Sequence, residues 1–166
     1  MKLSRATLAW SLIAVTVMAL SLGLSFAHLM EAPPRLMDWP GELWREATVF
    51  HGQYRLFGLL GGPIDVSAIL LGFVVTYVVG RSDRPAFMLA FAGSALYLIG
   101  LIIWFAVVAP ANAELATWTP GPLPEDFETV RLRWETGHIV IACVKFMGFL
   151  LIVSAILSMR RTPAAR

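Results

Sequence analysis

The sequence predicts an all-α integral membrane protein, a four-helix up-down-up-down bundle with a short interfacial helix in its first outer loop. Three observations carry this. Of the 166 residues, 58% are hydrophobic and 14% charged, and the mean hydropathy is +0.72, far above ordinary soluble domains. Apolar runs at residues 6–27, 56–79, 86–108 and 138–159 each approach the about 20 residues a helix needs to cross a bilayer core. The tight turn "RSDRP" and two longer connections make neighbouring spans antiparallel. No internal repeat or low-complexity segment is present, so residues 1–166 read as one transmembrane domain.

The first run follows Lys2 and Arg5 and ends in Ser25-Phe26-Ala27, a pattern shared with secretory signals. Its apolar stretch exceeds their usual core of about 7 to 15 residues, which favours a retained anchor. Pro33-Pro34 should halt this helix, because a proline ring clashes with the preceding turn and donates no hydrogen bond. Next, "GELWREATVFHGQY" places Leu43, Trp44, Ala47 and Phe50 at helical spacing. A helix lying in the membrane interface is expected there, with Trp39 and Trp44 at headgroup depth.

The second run contains Asp65 and the breaker Gly61-Gly62-Pro63. The residues after Pro63 are too few to cross about 30 Å of hydrocarbon alone, so one kinked span is expected. The third run is uninterrupted, and Tyr97, Gly100 and Trp104 share a face that reads as packing. "PGPLPEDFETVRLRWE" then reads as a rigid turn and a helix start, since acids in a first turn complement the helix dipole. The fourth helix thus begins before the bilayer. Trp118 and Trp134 read as interfacial belt residues. The single cysteine, Cys143, lies within the fourth span and excludes an intrachain disulfide.

Lys2, Arg5, Arg81, Arg84, Arg160, Arg161 and Arg166 fall on one side, opposed there only by Asp83. Short cytoplasmic flanks collect such residues, so both termini are expected in the cytoplasm and the chain in the plasma (inner) membrane. The net charge of +2 comes from these flanks. No basic patch with interleaved aromatics points to nucleic acid.

The candidate chemistry lies on the fourth helix. Arg131, Glu135, His138, Ala142 and Lys145 follow spacings of three and four, which puts them on one stripe. A polar stripe in a membrane must face protein or water. His28, with Ser21 and Ser25 on its face, belongs to the same outer end. Asp65 and Lys145 lie at similar depth and read as an ion pair, either structural or a proton relay. Glu135-x-x-His138 and the reversed His28-x-x-Glu31, with His51 in reserve, form a candidate ligand set for one iron, copper or zinc ion. Against these stand plainer readings. Arg131 and Glu135 also suit a surface i, i+4 pair, and both histidines suit interfacial hydrogen bonding.

"FAHLMEAPPRL" after the first helix, the proline-rich second outer segment, and "PEDFETVRLRWETGH" leading into the last span together resemble the anthrone-oxygenase-like family of small membrane proteins. The resemblance implies a four-helix membrane fold and oxidation of the anthrone carbon of an aromatic polyketide to a quinone by molecular oxygen. It carries onto His28, Arg131, Trp134, Glu135 and His138. Ile139 to Ile141 stand where some members have another basic residue, which leaves the substrate open.

The expected function is therefore a membrane oxidoreductase, an oxygenase acting on a lipophilic aromatic or quinone-like substrate. Glu135 or His138 would be the general base, Arg131 or Lys145 would stabilise the enolate, and His28 would be a ligand or second base. The alternatives are a non-catalytic membrane subunit, which docks a second copy or a partner, and a small proton-coupled transporter built on Asp65 and Lys145.

Overall fold

The computed structural model describes residues 5–52, 54–80 and 83–159. Four helices are long and apolar enough to cross a membrane. They are α1 (Arg5–Met37), α3 (Arg55–Gly80), α4 (Arg84–Ile103), which is prolonged through Leu115, and α6 (Phe127–Ser158). Between α1 and α3 lie a short α2 (Gly41–Arg45) and a π-helical turn (Glu46–Phe50). A second π-helical turn (Trp104–Val108) joins α4 to α5 (Ala109–Leu115). No strand occurs among the described residues, so the predicted all-α four-helix bundle is the observed one.

The four long helices form a ring. α1 packs on α3 and α6, and α4 packs on the same two, while contact between α3 and α6 across the ring is slight. Along α1 the buried residues are Ser11, Ala14, Met18, Ser21, Ser25, His28, Ala32 and Arg35. Their spacing alternates three and four, the 3.5-residue period of a supercoiled bundle seam. On α6, Arg131, Glu135, Ala142 and Lys145 are buried, and His138 between them is half-buried. The predicted polar stripe thus faces the bundle interior.

Small residues set the closest approach. A methyl group on Gly93 of α4 would come within 2.7 Å of the Gly148 carbonyl oxygen on α6, and one on Gly148 within 2.9 Å of the Gly93 oxygen. These helices touch backbone to backbone. The end holding Gly80 and Arg84 has a core around Met18, Val75, Tyr97 and Ile152. The α2 end has another, around Trp44, Val108, Phe127 and Trp134.

Several expectations need correction. Pro33-Pro34 does not stop α1, which runs on to Met37. The prolines deprive only the carbonyls of Leu29 and Met30 of their helical donors, and Met30 is exposed. At the helix end, Arg131 donates to the Arg35 carbonyl and, at 3.2 Å, to that of Trp39, so a cation from α6 caps α1. Trp44, expected among the headgroups, is fully buried within the protein, because its indole N–H finds a carboxylate inside the bundle. Trp134 is buried for a similar reason: it donates to Asn112 Oδ1 at 2.8 Å and joins α6 to α5. The second span is one helix, Arg55–Gly80, that runs through Pro63, so the single span expected there is observed. Asp83 caps α4 by accepting from the Ala86 N–H at 3.1 Å. Of the basic residues on which the expected orientation rests, Lys2, Arg81, Arg160, Arg161 and Arg166 lie outside the described residues.

Candidate functional site

Between the two cores lies a chamber of about 460 Å³. Its walls are apolar and aromatic, with Phe57, Leu101, Trp104, Phe105 and Ile141 among them. Two polar groups punctuate it, one near the α2 end and one two helical turns deeper.

The outer group is a histidine pair. α1 supplies His28 and α6 supplies His138, and their rings stack with centroids 4.1 Å apart and planes 15° apart. Trp134 closes on His138 edge to face at 4.5 Å, and Phe57 lies 4.7 Å from His28. His28 is 5% exposed, and its Nδ1 has no hydrogen-bond partner in the protein. A buried polar atom without a partner is uncommon and calls for a ligand or an explanation.

The deeper group is the ion pair expected from depth alone. Lys145 Nζ donates to both Asp65 carboxylate oxygens at 2.7 Å and to Ser25 Oγ at 3.0 Å. Ser21 Oγ donates to Asp65 Oδ1 at 2.6 Å. Three helices therefore meet at one ammonium and one carboxylate, and each charge has partners. The lysine stem passes beside Gly100, where a methyl group would make ordinary contact with Lys145 Cγ at 3.4 Å.

The remaining predicted residues go elsewhere. Glu135 accepts from Arg35 Nη2 at 2.8 Å and from Trp44 Nε1 at 2.7 Å, fully buried and turned from the histidines. Arg35 also donates to Glu31 at 3.1 Å, to the His28 carbonyl at 3.3 Å and to the Tyr54 hydroxyl. Tyr54 donates to Glu31 at 2.9 Å. Burial pushes the Tyr54 hydroxyl well above its ordinary range, so it remains a donor. Arg131 pairs with Glu128 at 3.2 Å rather than with Glu135. His51 is exposed, 4.0 Å from Glu46.

The metal set is thereby dissolved. His28 and His138 converge, but Glu31 and Glu135 are held by Arg35, which separates carboxylates from imidazoles. Among the described residues no group of three or more His, Cys, Asp or Glu is placed to hold a metal ion. Arg35 is the residue that sequence reasoning missed. The spacing Ser21, Ser25, His28, Ala32, Arg35 continues the α1 seam and would have found it, had Pro33-Pro34 not been taken as the helix end.

Comparison of the chain with protein-family models, with curated proteins and with solved structures yields no match.

Proposed function

We propose that the chain is a membrane oxidoreductase, an oxygenase acting on a lipophilic aromatic or quinone-like substrate held in this chamber. One observation carries the reading: two imidazoles and a buried ammonium converge on a cavity with aromatic walls. A volume near 460 Å³ falls within the range of about 300–1,000 Å³ for small-molecule sites. Flat aromatic walls favour a flat aromatic guest.

In this reading His138 is the general base that removes an activated C–H or phenolic proton. His28, whose ring lines the chamber, hydrogen-bonds a substrate oxygen or serves as a second base. Lys145 faces the oxygen on which negative charge develops, where a preoriented cation acts most strongly. The overall change converts a methylene flanked by rings, plus dioxygen, to a carbonyl and water. Two C–H bonds break, one oxygen atom becomes the carbonyl oxygen, and the other leaves as water. Glu135 and Arg131, expected at the reacting centre, act as positioning residues for α1 and α2. The likeness of "RLRWETGH" to the anthrone-oxygenase-like family supports the same reaction class.

The test is dioxygen uptake by detergent-purified protein given an anthrone, with the product identified by mass spectrometry. A His138→Gln variant should lose about 100-fold or more of the rate, as removal of a general base does. A folded wild type that consumes no dioxygen with anthrone or hydroquinone probes defeats the reading. The rival, a non-catalytic subunit, is favoured by the density of hydrogen bonds around Arg35 and predicts that histidine variants lose stability with no reaction to lose. The flanking basic residues support a plasma (inner) membrane location with both termini cytoplasmic. A fluorescent reporter fused to the C-terminus should then be bright, and a periplasmic phosphatase fused there inactive.

A further inference from the structure

The chamber has one unfinished wall. Every buried residue of α3 lies at Ala68 or beyond, so its half between Arg55 and Ser67 buries none. That half presents Gly58, Gly61 and Gly62 to the cavity, and a methyl group added at any of them would meet nothing within 4 Å. These glycines are not there to let helices touch, as Gly93 and Gly148 are. Each costs about 1 kcal/mol of helix propensity relative to alanine, with no packing return. The rim is apolar. Val66 and Phe105 line the cavity while 47% and 63% exposed on the lipid-facing surface, so the cavity reaches that surface between them. Inside, the His28 ring lines the cavity.

We infer that the gap between the outer half of α3 and the Trp104–Val108 turn is a lateral portal, through which a bilayer-dissolved, quinone-like ligand bearing an oxygen for His28 reaches the chamber. The ligand's lipophilic character rests on the function proposed above; the route does not depend on turnover. Aqueous access is disfavoured on the same grounds, since the α2 end is sealed by Trp44, Trp134 and Phe127, all buried.

Trp104 and Trp134 line the chamber and report its occupancy. In phosphatidylcholine nanodiscs, decylubiquinone should quench their fluorescence saturably, above a linear background from lipid-facing Trp10. The Gly58→Leu/Gly62→Leu variant should slow association at least tenfold, Gly62→Ala less than twofold, and Phe105→Ala should speed it about threefold. Gly23→Leu is the control, because a side chain at Gly23 also meets nothing and Gly23 lies outside the cavity; it should match wild type. A naphthoquinone sulfonate added from water should associate at least tenfold more slowly than decylubiquinone. The portal is overturned by wild-type association in the double-leucine variant, by equally fast sulfonate binding, or by absence of saturable quenching in the wild type. Portal-dependent binding without dioxygen uptake would leave the portal standing and remove the oxygenase.

Discussion

Arg35 and Glu135 meet at 1% and 0% side-chain exposure, and every oxygen of the carboxylate is engaged by a donor from α1 or α2. Removing one member of such a pair strands the other's charge, at a cost of about 3–5 kcal/mol. Glu135→Leu should therefore lower the unfolding midpoint in micelles sharply, and Glu135→Leu with Arg35→Met should recover part of the loss; circular dichroism melts of the wild type and the two variants check this. Tyr54 gives a second residue-level prediction. Its hydroxyl is raised by burial, while the unfolded chain releases that proton near pH 10. The contribution is thus present below about pH 10 and lost as pH rises beyond it. Melts between pH 8 and pH 11 should show a shallower decline for Tyr54→Phe than for wild type. At this scale the sequence was half legible. His28, His138, Asp65 and Lys145 were found because helical spacing and depth are arithmetic. Trp44 and Trp134 were misread, because an indole suits a headgroup or a buried acceptor equally and only tertiary contacts decide.

Helix identities were legible and helix ends were not. Hydropathy detects the apolar length, whereas α1, α6 and the prolonged α4 extend past it at the end where α2 lies. The π-helical turn at Trp104–Val108 left no mark in the apolar run, since one extra residue in a turn shifts hydrogen bonding without changing composition. It does turn Trp104 into the chamber wall, which is where a local widening has use. The glycines separate into two kinds at this scale. Gly93→Ala or Gly148→Ala must push α4 from α6, because the obstructing atom in each case is a backbone oxygen. Each should cost about 1–3 kcal/mol, the range for overpacking. The double variant should cost less than the sum, since one helix displacement serves both. Gly23→Ala, with open space around it, should be neutral or slightly stabilising through helix propensity. Thermal midpoints of the four proteins in one detergent decide it.

At the scale of the molecule, the ring of helices is held around a chamber that would otherwise weaken it. Cavities remove contacts, and this one lies between two separate apolar cores. The Asp65–Lys145 pair, with Ser21 and Ser25, spans the ring at that level and ties α3 to α6, two helices that scarcely touch otherwise. Its side chains are 17% and 3% exposed, so neither charge has water enough to stand alone. A double-mutant cycle tests whether the pair acts as a cross-brace. Asp65→Asn and Lys145→Met should each destabilise by about 3–5 kcal/mol, because each strands a buried charge. The double variant should be more stable than either single one, with a coupling of about 3 kcal/mol or more. Additive losses would mean that the two groups work separately, and the brace would then have to be sought in the packing of α1 alone. Activity separates bracing from chemistry in the same proteins. If Lys145 also faces the developing oxyanion, the double variant regains stability without regaining dioxygen uptake, and Lys145→Arg recovers part of both.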